Sequence, residues 1–191
     1  ASQAQYLALQ GKAARLRAIA NGTSLAMPVD VSKKAPDIAK QEAGLYQTKM
    51  AELNSSVQIA RNELTQRTQE LSEMRARHEQ ADQSYQLTSK ELAQTKPLLD
   101  SGAVSQVDLL RLQRDVTRYL GDRQMATAQI ARLQAAIAEA GGKIQAAELS
   151  FRNQASAELS DTMAKINSLS ADSSGLANKV TLSEVRSPVR G

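Results

Sequence analysis

The chain has 191 residues, 41% hydrophobic but only 3% aromatic, with one Phe, no Trp and no Cys; it lacks the large side chains that fill a thick globular core and cannot form disulfides or zinc-thiolate sites. Its net charge of +4 is carried by Lys and Arg interspersed with Asp and Glu, a mixture that makes a solvated helix surface and argues against nucleic acid as a partner. No run approaches the roughly 18 apolar residues of a membrane span, and no basic region followed by an apolar stretch opens the chain, so Ala1 to Leu7 reads as the start or inside of a helix cut from a longer protein.

Tyr6, Leu9, Ala13, Leu16 and Ala20 step by three and four and predict a short helix over 1–20, closed at Asn21-Gly22. The next stretch, 21–35, carries Pro28, is followed by Pro36, and reads as loop. From Tyr46 the same stepping collects Met50, Leu53, Val57, Ala60, Leu64, Arg67, Leu71, Met74, His78, Ala81, Tyr85, Thr88, Leu92, Thr95 and Leu99. Twelve of these sixteen positions are apolar, well above the background composition, which predicts a long outgoing helix over 36–100 with a coiled-coil seam.

The outgoing helix meets a reversal at Leu98-Leu99-Asp100-Ser101-Gly102-Ala103-Val104-Ser105. Pro97 loosens the last turns, Gly102 takes the left-handed conformation that closes a helix, and Ser105 can accept a hydrogen bond from the backbone of Asp108 to start the next one. Residues 101–104 are therefore the tip, and 105–179 the returning helix. Its seam runs from Leu109 through Leu112, Val116, Tyr119, Arg123, Ala126, Ile130, Leu133, Ile137, Ala140, Ile144 and Ala147 to Phe151, with one polar residue in thirteen.

Beyond Phe151 the seam changes phase near Ala155 and continues through Leu159, Thr162, Ile166 and Leu169. With paired residues summing to about 203, the outgoing seam ends where this shift occurs, so the short helix 1–20 is the expected new partner of the returning helix. The expected fold is all-α: a long antiparallel coiled-coil hairpin with an interrupted outgoing arm of two helices against one continuous returning helix. At 1.5 Å per residue, about 60 residues would span about 90 Å, a slender form that favours lateral association with copies of itself.

Three of the polar seam residues carry basic side chains. His78, Arg67 and Arg123 read as register-setting or partner-facing contacts, with Arg123 expected beside Glu79 and His78. A lone histidine supports neither a metal site nor a nucleophilic triad, so no catalytic residue, cofactor or metal is expected. Gly121 and Gly141-Gly142 lie within the returning helix, where they mark either a local bend or the close approach of a neighbouring helix. At the end of the chain, 180–191 alternates apolar and polar residues around Pro188 and reads as an extended strand, the first of the second half of a β domain.

Leu98, Gly102, Ser105 and Asp108 around the tip, followed by Leu109-Leu110, together with Val185-Arg186-Ser187-Pro188-Val189-Arg190-Gly191, resemble the periplasmic adaptors, or membrane fusion proteins, of the hemolysin-secretion family. The resemblance implies a type I secretion adaptor in the periplasm, held in the bacterial inner membrane by a segment outside this chain and rooted in a lipoyl-like β domain at 180–191. It implies as partners an inner-membrane ABC transporter, an outer-membrane channel protein that meets the tip, the secreted protein, and further copies of the adaptor in a ring or tube of six protomers. Family tips show Arg, three residues, Leu, six residues, Ser; Leu98 and Ser105 match, whereas the Arg position is Gln94.

The docking residues so implied are Gln94, Leu98, Gly102, Val104 and Ser105, with Leu98 and Val104 facing the partner and contacts more apolar and hydroxyl-based than charged. Two other readings stay open: a drug-efflux adaptor of the same family, and a coiled-coil scaffold with no transport role.

Overall fold

The computed structural model describes residues 2 to 186, with side-chain burial through Ser173 and at Gly175. Four α-helices follow in order: α1 (Ser2–Asn21), α2 (Val29–Lys34), α3 (Pro36–Thr95) and α4 (Gln106–Arg186), with a 3-10 turn at Lys96–Leu99 between the last two. The outgoing arm is interrupted and the returning arm continuous, as the periodicity predicts. Two compact units form, one from residues 1–58 with 145–191 and one from 59–144.

In the unit formed by 59–144, α3 and α4 run antiparallel. Arg123 Nη1 lies 2.7 Å from Asp82 Oδ1 and Lys143 Nζ lies 3.4 Å from Glu63 Oε1, so a later residue on α4 meets an earlier one on α3. These pairs sum to 205 and 206, two or three residues beyond the expected register. Among the seam residues of this unit, Ala60, Ala81, Leu109, Ala126, Leu133 and Ala140 are buried and the others half-buried. Small Ala side chains let the helix backbones approach closely, which is how a chain poor in aromatics still closes an apolar seam.

The unit formed by 1–58 and 145–191 is thicker, because α1 packs on two neighbours at once. Leu16 and Ile19 bury against Ala155, with Ala20, Tyr46, Phe151 and Leu159 packed around them. Ala155 is where two successive steps of four shift the α4 seam, and beyond it Thr162 and Ile166 are buried. The phase change thus has the cause expected from the sequence: α4 turns its apolar stripe toward α1.

The side of α1 away from α4 meets the beginning of α3. An ideal Cβ at Gly11 would stand 3.0 Å from Ile38 Cγ2 and 3.6 Å from Val31 Cγ1, Arg15 Nε donates to Glu42 Oε2, and the Tyr46 hydroxyl donates to the Thr23 carbonyl at 3.0 Å. Residue numbers rise together along these contacts, so α1 and the first turns of α3 are parallel neighbours. A helix with two buried faces departs from the single stripe expected over 1–20: Leu7, Ala14, Arg15, Ala18 and Ile19 are buried as well as Ala13 and Leu16.

The stretch expected as loop, 21–35, carries α2, whose Val31 is fully buried. Pro28 stands at the N-cap of α2 and Pro36 is the first residue of α3; a proline at a helix start loses nothing, since the first amides have no helical acceptor. The close of α1 follows expectation. Gly22 has φ +67°, its N–H donates to Ile19 O at 3.3 Å, and the Thr23 N–H donates to Ala18 O at 2.9 Å, the two bonds of a Schellman closure.

At the other end of the chain the structure corrects the sequence reading. α4 remains helical through Arg186 where a strand was expected from 180. A strand must find its hydrogen-bond partners on a neighbouring strand, and none is present among the described residues, whereas a helix satisfies its own backbone. Residues 187–191, including Pro188, lie outside the described residues.

Candidate functional site at the hairpin tip

The tip is built by local hydrogen bonding. Pro97 sits in the first turn of the 3-10 segment Lys96–Leu99, the backbone N–H of Gly102 donates to Leu99 O at 3.1 Å, and Ser101 Oγ donates to Leu98 O at 3.0 Å. Gly102 has φ +73° with open space where a side chain would be. On the far side the Asp108 N–H donates to Ser105 Oγ at 3.1 Å, and the Leu109 N–H donates to Ser105 O at 3.2 Å, so Ser105 is the N-cap of α4.

The five residues singled out from the sequence fall at this reversal with different surroundings. Gln94 is exposed on the last turns of α3, Leu98 is 45% exposed, Gly102 and Ser105 are exposed, and Val104 is half-buried. Leu99 and Leu109 seal the hairpin end, half-buried and buried respectively. Val107 is 64% exposed and Leu110 52% exposed. The outward apolar surface is therefore Leu98 with Val107 and Leu110, and it includes Val104 only in part.

The polar seam residues do not form a second site. Arg123 pairs with Asp82, not Glu79 or His78, because the register is shifted, and its guanidinium also covers the Tyr85 ring at 4.5 Å. The Arg123 hydrogen bond holds the Asp82 carboxyl below the ordinary value of 3.8, outweighing the desolvation that pushes the other way. Arg67 pairs within its own helix with Glu70 at 3.0 Å. Among the described residues no group of three His, Cys, Asp or Glu could hold a metal ion, and no helix is long and apolar enough to cross a membrane.

Residues 1–179 match the protein family described as AprE, long alpha-helical hairpin. The chain belongs to that family. The AprE-type hairpin also matches a solved structure of the soluble domain of LipC, a membrane fusion protein of a type I secretion system, with a TM-score of 0.83 and 16% sequence identity. The alignment covers 90% of this chain and 66% of the LipC chain, so the chain spans just under two thirds of that structure. At this identity the likeness carries the fold. No curated protein sequence matches the chain.

The sequence reading counts Arg114 with Lys90, Lys96 and Arg111 as too few basic residues near the tip to grip nucleic acid, and gives it no docking role. Arg114 lines a shallow groove with Val107, Leu110, Gln113 and Thr117 on the first turns of α4. The signal was present: 107, 110, 114 and 117 step by three, four and three, the same stepping as the seam, displaced by two residues onto the opposite side of the helix.

Proposed function

We propose that this hairpin is the periplasmic arm of an adaptor subunit, a membrane fusion protein that joins an inner-membrane ABC transporter to an outer-membrane channel for one-step protein secretion. The observation that carries the reading is the match to the AprE hairpin family across residues 1–179; the described function of LipC, whose fold is similar, points the same way. The subunit is anchored in the inner membrane by a segment outside this chain, stands beside further copies of itself in a ring or tube, and meets the channel with its tip. Such a role is mechanical, and it asks for a rigid reversal with apolar side chains turned outward, without catalytic groups.

Gln94, Leu98, Gly102, Val104 and Ser105 form the docking element in this reading. Gly102 and Ser105 hold the turn, and Leu98 supplies exposed apolar surface. Leu98→Asp in the full-length adaptor should abolish export of the cognate protein while the helical circular dichroism of the purified variant stays unchanged. Undiminished export would exclude docking by this tip. A drug-efflux adaptor is the second reading; the short α1 and intervening α2 before the main hairpin favour secretion.

A further inference from the structure

We propose that Asn21 is a site of spontaneous covalent modification, deamidation through its bond to Gly22, and that Arg152 of α4 restrains the reaction by covering Gly22. Asn21 is the last residue of α1, and both it and Gly22 are exposed. The other asparagines, Asn54, Asn62, Asn153, Asn167 and Asn178, lie inside α3 or α4 and precede Ser, Glu, Gln, Ser and Lys. Asn21 alone combines a following residue without a side chain with a place at a helix end, where the backbone opens at least cost.

The reaction needs only water. The Gly22 backbone nitrogen gives up its proton and attacks Cγ of Asn21. The new C–N bond closes a succinimide ring while the Cγ–Nδ2 bond breaks, and Nδ2 leaves with that proton as ammonia. One water then opens the ring. Cleavage at Cγ leaves an aspartate at position 21; cleavage at the backbone carbonyl leaves an isoaspartate, with the main chain rerouted through the side chain. Either product replaces a neutral amide by a carboxylate.

In the folded chain the attacking nitrogen is engaged. The Gly22 N–H donates to Ile19 O at 3.3 Å, and the Thr23 N–H donates to Ala18 O at 2.9 Å. A Cβ placed on Gly22 would stand 2.6 Å from Arg152 Nη2, so the guanidinium lies against Gly22 at the C-terminal end of α1, where a cation is stabilising. The succinimide forms when this turn opens; its rate follows the open population, which Arg152 lowers. An isoaspartate lengthens the main chain and destroys the geometry of both closing bonds. Ile19 and Ala20, just before the closure, pack with Phe151, Ala155 and Leu159, so the modified chain loosens its hold on that part of α4.

The test incubates the full-length protein at neutral and mildly alkaline pH and maps the products by peptide mass spectrometry and isoaspartyl methyltransferase labelling. Modification should appear at Asn21 before any other asparagine and quicken as pH rises, because the attacking nitrogen must lose a proton. Arg152→Ala should speed it about two- to fivefold, the effect of a cation on a helix C-terminus, Arg152→Lys should stay near wild type, and in urea all three should react at one rate. Circular dichroism confirms that the variants are folded. Aged wild type should exchange amides faster across 151–159 than Asn21→Gln aged alongside it. First modification at another asparagine overturns the site. Equal rates for Arg152→Ala and wild type in the absence of urea overturn the restraint by Arg152.

Discussion

Arg15 and Glu42 show how much a single side chain can depend on a third helix. Arg15 sits on α1 between apolar residues, and its guanidinium meets the Glu42 carboxylate of α3 with side-chain exposures of 10% and 11%. Removing one partner leaves the other charge buried without compensation, so Glu42→Ala should lower the stability of its unit by about 3 kcal/mol in urea unfolding, while Arg15→Met with Glu42→Leu should recover most of the loss. The pair was not legible beforehand because the stripe over 1–20 was read for one buried face. By contrast Asp82 and Arg123 are exposed enough that their pairing is a matter of register. An Asp held below its ordinary value stabilises the fold above that value and loses the contribution as pH falls through the folded value. NMR titration should place the Asp82 carboxyl below 3.8, and Arg123→Gln should move it back up.

The elements divide into those specified locally and those specified by packing. The end of α1, the tip and the start of α4 follow from Asn21-Gly22, Gly102 and Ser105, whose backbone needs are met by residues within a turn. Ser105→Ala should therefore destabilise the hairpin by about 1 kcal/mol, measured by thermal unfolding. α2 was missed because six residues with a proline at the N-cap have too little local preference to be read as helix; Val31, inserted against Gly11, is what holds them. Gly141 and Gly142 have nothing within 4 Å of an added Cβ among the described residues, so the two-residue replacement by Ala should stabilise α4 by about 2 kcal/mol in urea. If the same variant keeps its stability gain but assembles poorly, the glycines serve a neighbouring copy.

For the molecule as a whole, the hairpin family accounts for the long seam and the reversal, and the two compact units make different demands on the chain. The unit of 59–144 needs only α3 and α4. The other also needs α1, which covers Ala155, Leu159 and Tyr46, and α2, whose Val31 packs against Gly11 of α1. Deleting residues 1–35 should raise amide exchange across 151–166 while leaving protection around Ala81 and Ala126 near its original level, since local stability follows local burial. Uniform loss of protection would mean that the two units unfold together.

What the sequence by itself determined is whatever repeats or closes over a few residues: the seven-residue seam, its shift at Ala155, the helix ends and the reversal at the tip. These depend on helical periodicity and on hydrogen bonds between near neighbours, and both are written in residue type and spacing. The tertiary structure alone decided the second buried face of α1, the partner of Arg15, the register that gives Arg123 to Asp82, and the helical state of α4 through Arg186. Each of these depends on which other segment lies alongside, and a pairing between distant residues leaves only a weak trace in either one alone.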